Sequence, residues 1–93
     1  MYALCTSKIV DKFLAKHNDV RARLLNALEL LVQNPYSNHH LDIKRLRGYE
    51  NHYCLRIGKY RILYEVIESC ILIYAYDIDS RGSIYKQRRN DDR

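Results

Sequence analysis

The stretch Tyr53–Val66, YCLRIGKYRILYEV, decides how this chain is read. On both sides of Gly58-Lys59 the side chains alternate with the period of two that marks half-buried strands. A two-residue link containing glycine joins such runs into an antiparallel hairpin and fixes its register. Ile57 then lies opposite Tyr60, Arg56 opposite Arg61, Leu55 opposite Ile62 and Cys54 opposite Leu63. Because successive side chains point to opposite faces, one face carries Tyr53, Leu55, Ile57, Tyr60, Ile62 and Tyr64. The other carries His52, Cys54, Arg56, Arg61, Leu63 and Glu65.

Two like charges set directly opposite each other oppose pairing by roughly 0.2–1 kcal/mol. A phosphate between Arg56 and Arg61 turns that repulsion into two charge-assisted contacts. An anion site is therefore expected beside the turn. The bland alternative is that the arginines splay into solvent and pair with acids such as Glu65.

Beyond Val66 a third strand is expected over Cys70 to Ile78, joined through Glu68-Ser69. That two-residue turn sets Tyr76 opposite Arg61 and Tyr74 opposite Leu63, rings suited to stacking on bases beside phosphate-holding guanidiniums. Upstream, Tyr36 to Asn51 is a polar loop with at most a short strand near Lys44 to Leu46. Before it the period is helical. Ser7 is placed to cap a first helix with Ile9, Val10, Phe13 and Leu14 on one side. Asp19 is the cap candidate for a second, whose stripe runs through Leu24, Leu25, Leu28, Leu31 and Val32 until Asn34-Pro35. Met1 to Cys5 is compatible with a strand. The fold class is α+β: an N-terminal strand and an αα-hairpin packed on an antiparallel β-meander.

Ninety-three residues, 47% of them hydrophobic, suit one domain spanning 1–93. Within it the wholly polar stretch 86–93 is expected to fray. The net charge is +5. Lys44 to Arg61 holds six basic residues and one acid, while the rest of the chain holds ten of each. Such a cluster favours a polyanionic or acidic partner. Lys44, Arg45, Arg47, Arg56 and Lys59 are the candidate sequence-blind phosphate contacts, with Arg88 and Arg89 either extending them or idle in the fraying tail. Cys5, Cys54 and Cys70 show no metal or redox spacing, and their odd number speaks against a disulfide framework. Cys5 and Cys70 are expected in the core. No apolar run is long enough to span a membrane, and the amino terminus lacks the charged-then-apolar layout of a signal peptide; a cytoplasmic setting is expected. His39, His40 and His52 match no zinc spacing, so no metal or other cofactor is expected.

The order of elements, with LRGYENHYCLRIGKYRILYEV and then DSRGSIYK, resembles the RelE/ParE superfamily of bacterial toxins over nearly the whole chain, to Tyr85. The resemblance implies the toxin of a type II toxin-antitoxin module. RelE-like members are endoribonucleases that cut messenger RNA on the ribosome through attack of the ribose 2′-hydroxyl, without metal, and so halt translation. ParE-like members share the fold and poison DNA gyrase, and a toxin-like domain that survives only as a binding module is a third possibility. The partners implied are the ribosome, messenger RNA and a cognate antitoxin, expected to be acidic.

By the same resemblance Arg61 matches the arginine that contacts the scissile phosphate, and Arg56 the arginine of the preceding strand. Arg81 matches the arginine after the last strand, and Tyr85 the carboxy-terminal tyrosine that orients substrate. His52 and Cys54 stand where some members carry two catalytic lysines, and Ser80 where many carry a histidine. His52, on the arginine face and able to titrate near neutrality, is the candidate general base or acid. Arg61, then Arg81, are the candidates for stabilising the phosphorane.

Overall fold

The computed structural model describes residues 1–80. Its elements are β1 (Ala3–Thr6), α1 (Lys8–Lys16), α2 (Asn18–Leu31), β2 (Asp42–Arg45), β3 (His52–Ile57), β4 (Tyr60–Ile67) and β5 (Leu72–Ser80). The strands form one five-stranded sheet in the order β1-β5-β4-β3-β2. Three pairings are antiparallel, and β1 lies parallel to β5. The meander is thus extended at both ends into a mixed sheet.

Ser7 starts α1 as expected: its Oγ accepts the Val10 N–H at 3.2 Å, while its hydroxyl donates to the Tyr76 carbonyl at 2.9 Å. The same side chain therefore caps the helix and ties it to β5. The cap of α2 is His17, without a side-chain cap bond, and the helix begins one residue before Asp19. Arg21 instead secures the junction, donating to the carbonyls of Leu14 (3.0 Å) and Ala15 (3.3 Å) that α1 leaves unpaired at its end. Val10, Leu14, Leu24, Ala27, Leu28 and Leu31 are buried against Leu55, Tyr60, Ile62, Tyr64, Val66, Ile73, Ala75 and Ile78. Ile9 and Leu25 stand outside that stripe, exposed.

The β3–β4 register is the expected one, residue for residue. Gly58 has φ +58°, and of the two turn residues it alone has a positive φ, the condition of a II′ hairpin turn with glycine first. The β4–β5 link differs. A 3₁₀ turn spans Glu68–Cys70, Ile71 follows with φ 50°, and β5 starts at Leu72. A bulge then shifts the pairing between Leu63 and Tyr64. Asp79, not Tyr76, therefore lies opposite Arg61, and Asp77, not Tyr74, opposite Leu63; Tyr74 pairs with Glu65, and Tyr76 is the extra residue. The cysteines are also reversed: Cys5 and Cys70 are exposed and Cys54 is buried. β1 is an edge strand whose side chains find little cover, whereas Cys54 lies on a central strand.

Candidate functional site

The helices cover one face of the sheet; the site is built on the other. Register sorts that face into rows. Asp42, Arg56, Arg61 and Asp79 form one row, and Lys44, Cys54, Leu63 and Asp77 the next. His52, Glu65 and Tyr74 form the third.

In the first row the two arginines share a face, as the hairpin register requires, and each has an aspartate on its outer side. The Arg56 Nε and Nη2 both reach the Asp42 Oδ2, at 2.8 Å. The partner of Arg56 is thus Asp42 of β2, not Glu65. The row is neutral as a whole, which explains why the fold tolerates opposed arginines without a bound anion. Both members of the Arg56–Asp42 pair are exposed, and such a pair contributes only about 0–1 kcal/mol.

The middle row is apolar at its centre. Cys54 and Leu63 are fully buried, with Leu46 and Tyr76 packed over them. A buried thiol under apolar cover is no nucleophile. This plug separates the arginine row from His52, four residues along the strand, or ~13 Å at the usual rise per residue.

His52 sits in a polar aromatic cluster of its own. Its Nδ1 is 2.9 Å from the Tyr76 hydroxyl, its Nε2 is 3.9 Å from the Glu65 Oε2, and its ring lies 5.7 Å from that of Tyr49 and 5.5 Å from that of Tyr76. The bulge delivers Tyr76 to this position. Of these partners Glu65 follows from the hairpin register, which sets it opposite His52, whereas the bulge that aims Tyr76 has no sequence signal.

The remaining basic candidates do not form one patch. Lys44 shares the arginine face by register, opposite Cys54, whereas Arg45, opposite Tyr53, falls on the other side. Arg45, Arg47, Tyr49 and Glu50 line a shallow open groove in the loop before β3. Lys59 lies at the turn with its Nζ 5.5 Å from the centre of the Tyr60 ring. The arginine face itself sets Lys44, Arg56 and Arg61 against Asp42, Glu65, Asp77 and Asp79. Its positive charge is therefore local to the Arg56–Arg61 centre. Arg81, Tyr85, Arg88 and Arg89 lie outside the described residues.

The family model described as the ParE toxin of the type II toxin-antitoxin system, parDE, matches residues 6–85. The chain belongs to this family, within the RelE/ParE superfamily of toxins. A relative from Methanocaldococcus jannaschii, named as toxin RelE1, is 39% identical over 59 residues, 63% of this chain and 66% of that protein. The match thus spans just under two thirds of the relative's length. The RelB–RelE antitoxin–toxin complex of Methanococcus jannaschii contains a chain 33% identical to this one, with TM-score 0.70 over 87% of this chain and 94% of that one. The archaeal RelE–RelB complex of Pyrococcus horikoshii gives 26% identity and TM-score 0.76 over 88% and 97%. Family and fold agree with the expected RelE-like α+β architecture.

Among the described residues no three His, Cys, Asp or Glu side chains come together as a metal-ligand set. Among them too, no helix is long and apolar enough to cross a membrane.

Proposed function

We propose that this toxin is a RelE-like endoribonuclease that acts on messenger RNA at the ribosome and inhibits translation. The observation that carries the reading is Arg61, half-buried on the open sheet face directly beside Arg56. A part-desolvated guanidinium in that position stabilises the charge that grows on a phosphorane more strongly than an exposed one. The reaction assigned is attack of the ribose 2′-oxygen on the adjoining phosphorus with loss of the 5′-oxygen, for which the protein supplies charge stabilisation and proton transfer. Arg61 leads the first task, with Arg81 and Tyr85 assigned by family resemblance. Lys44, Arg45, Arg47, Arg56 and Lys59, which do not form one patch, are assigned as separate sequence-blind phosphate contacts to ribosomal or messenger RNA. The two archaeal RelE structures compared above come from complexes with RelB, and a cognate antitoxin with an acidic segment is the proposed protein partner here.

The test is induced expression followed by mapping of transcript 5′ ends. New ends inside translated codons are expected, and Arg61→Ala is expected to lower cleavage by ~10²-fold or more while keeping the wild-type Tm. Full toxicity of both Arg61→Ala and Arg81→Ala overturns the reading. The matching family model bears the ParE name, which favours gyrase poisoning as the second reading. Intact transcripts with DNA-damage signalling and stalled replication identify that outcome.

A further inference from the structure

Resting on the nuclease reading, we infer that Tyr76 is the residue that takes the 2′-hydroxyl proton, with His52 behind it as the proton store and Glu65 as the positioning carboxylate. His52 is the candidate base by residue type, yet its ring is engaged at both ends. Tyr76 holds Nδ1 at 2.9 Å and Glu65 faces Nε2 at 3.9 Å. A carboxylate opposite Nε2 favours the proton on that nitrogen, which leaves Nδ1 to accept from the phenol O–H. In that tautomer the imidazole presents no lone pair outward. It receives a proton only through Tyr76.

Position points the same way. His52 and Arg61 are separated by the Cys54–Leu63 row, and the Tyr76 ring packs over that row. The bulge that displaces β5 between Leu63 and Tyr64 is what places Tyr76 there, between the His52–Glu65–Tyr74 row and the Cys54–Leu63–Asp77 row and so on the side of the histidine row that faces the arginines. Bulges commonly re-aim a side chain beside a site. Tyr49, Glu65 and Tyr76 are the titratable groups shown facing the imidazole, from the loop, β4 and β5 respectively.

The step balances as follows. The 2′-oxygen forms its bond to phosphorus as the bond from phosphorus to the 5′-oxygen breaks. The 2′-proton moves to the Tyr76 oxygen while the Tyr76 proton moves to His52 Nδ1, and the resulting imidazolium stands against Glu65. Water protonates the departing 5′-oxygen, and the hydroxide so formed recovers the stored proton through Tyr76. No other reactant is needed.

Two measurements on the full chain test this. Nitrogen-15 NMR of the imidazole is expected to show Nε2 protonated and Nδ1 accepting, with the Nδ1 signal moving in Tyr76→Phe. A protonated Nδ1, or signals indifferent to Tyr76→Phe, overturns the proton route. Single-turnover cleavage on programmed ribosomes is expected to fall ~10²-fold or more in Tyr76→Phe, within the range of general acid–base contributions, with ribosome affinity and Tm at wild-type values. Glu65→Gln is expected to slow the same step less. A wild type that cuts while Tyr76→Phe cuts equally fast overturns this inference alone. A wild type that cuts nothing overturns the nuclease reading and the proton route together.

Discussion

Among the described residues Tyr64 is the largest side chain to be fully buried, and its polar tip needs a partner there. The hydroxyl donates to the Pro35 carbonyl at 2.6 Å, which ties the turn after α2 to the central strand β4. Burial raises the phenol pKa above its ordinary value, so the bond persists across the whole working pH range. Tyr64→Phe removes the donor and leaves a buried carbonyl unpaired, an expected loss of ~1–3 kcal/mol in urea unfolding with little change in m-value. That this residue faces the helices is legible from alternation around Gly58-Lys59. That it reaches Pro35 is not, because the contact joins positions far apart in sequence. The aspartates flanking Arg56 and Arg61 escape a hairpin-only reading for the same reason: each stands on a neighbouring strand.

At the scale of elements, the two turns of the meander show what a sequence signals and what it hides. Gly58 supplies a left-handed backbone at the position that needs one, so the β3–β4 register follows from residue type. The β4–β5 link puts that burden on Ile71, a β-branched residue with φ 50°, where composition predicts extended backbone. With neither glycine nor asparagine to mark it, the turn reads two residues too short, and the unsignalled bulge adds one more to the shift. Helix starts divide similarly. Ser7 announces α1, whereas α2 begins at Asn18 behind His17, which gives no side-chain cap. Ser7→Ala is expected to cost ~0.5–2 kcal/mol by thermal unfolding. Ser7→Asp restores the acceptor for Val10 N–H but not the donor to the Tyr76 carbonyl, so it is expected to recover only part of that loss. Full recovery in Ser7→Asp shows that the tie to β5 contributes nothing.

For the whole molecule, one carboxylate gathers three distant segments. Glu68, in the turn after β4, accepts the hydroxyl of Tyr2 at 2.6 Å and also that of Tyr36. These bonds hold its carboxyl below the usual range and raise both phenols above theirs. A depressed carboxyl stabilises the fold above its unfolded-state pKa and loses that contribution as pH falls through the folded-state value. The raised phenols contribute below their unfolded values near 10 and lose it only at higher pH. Glu68→Gln is therefore expected to be less stable than wild type at neutral pH, with the gap closing as pH falls from the ordinary carboxylate range through the lowered folded-state value. An unchanging gap across that window refutes the assignment. Of this cluster only the turn position of Glu68 can be read from the chain.

The pairing of β1 with β5 carries a consequence in time. Among the described strands the first, β1, is an edge that pairs in parallel with the last, β5, Leu72 to Ser80. Until that late segment emerges, the opening residues have no ladder to join, and long-range parallel pairing is among the slower steps of folding. A half-made copy of this protein thus lacks both a closed sheet and the strand that bears Tyr76.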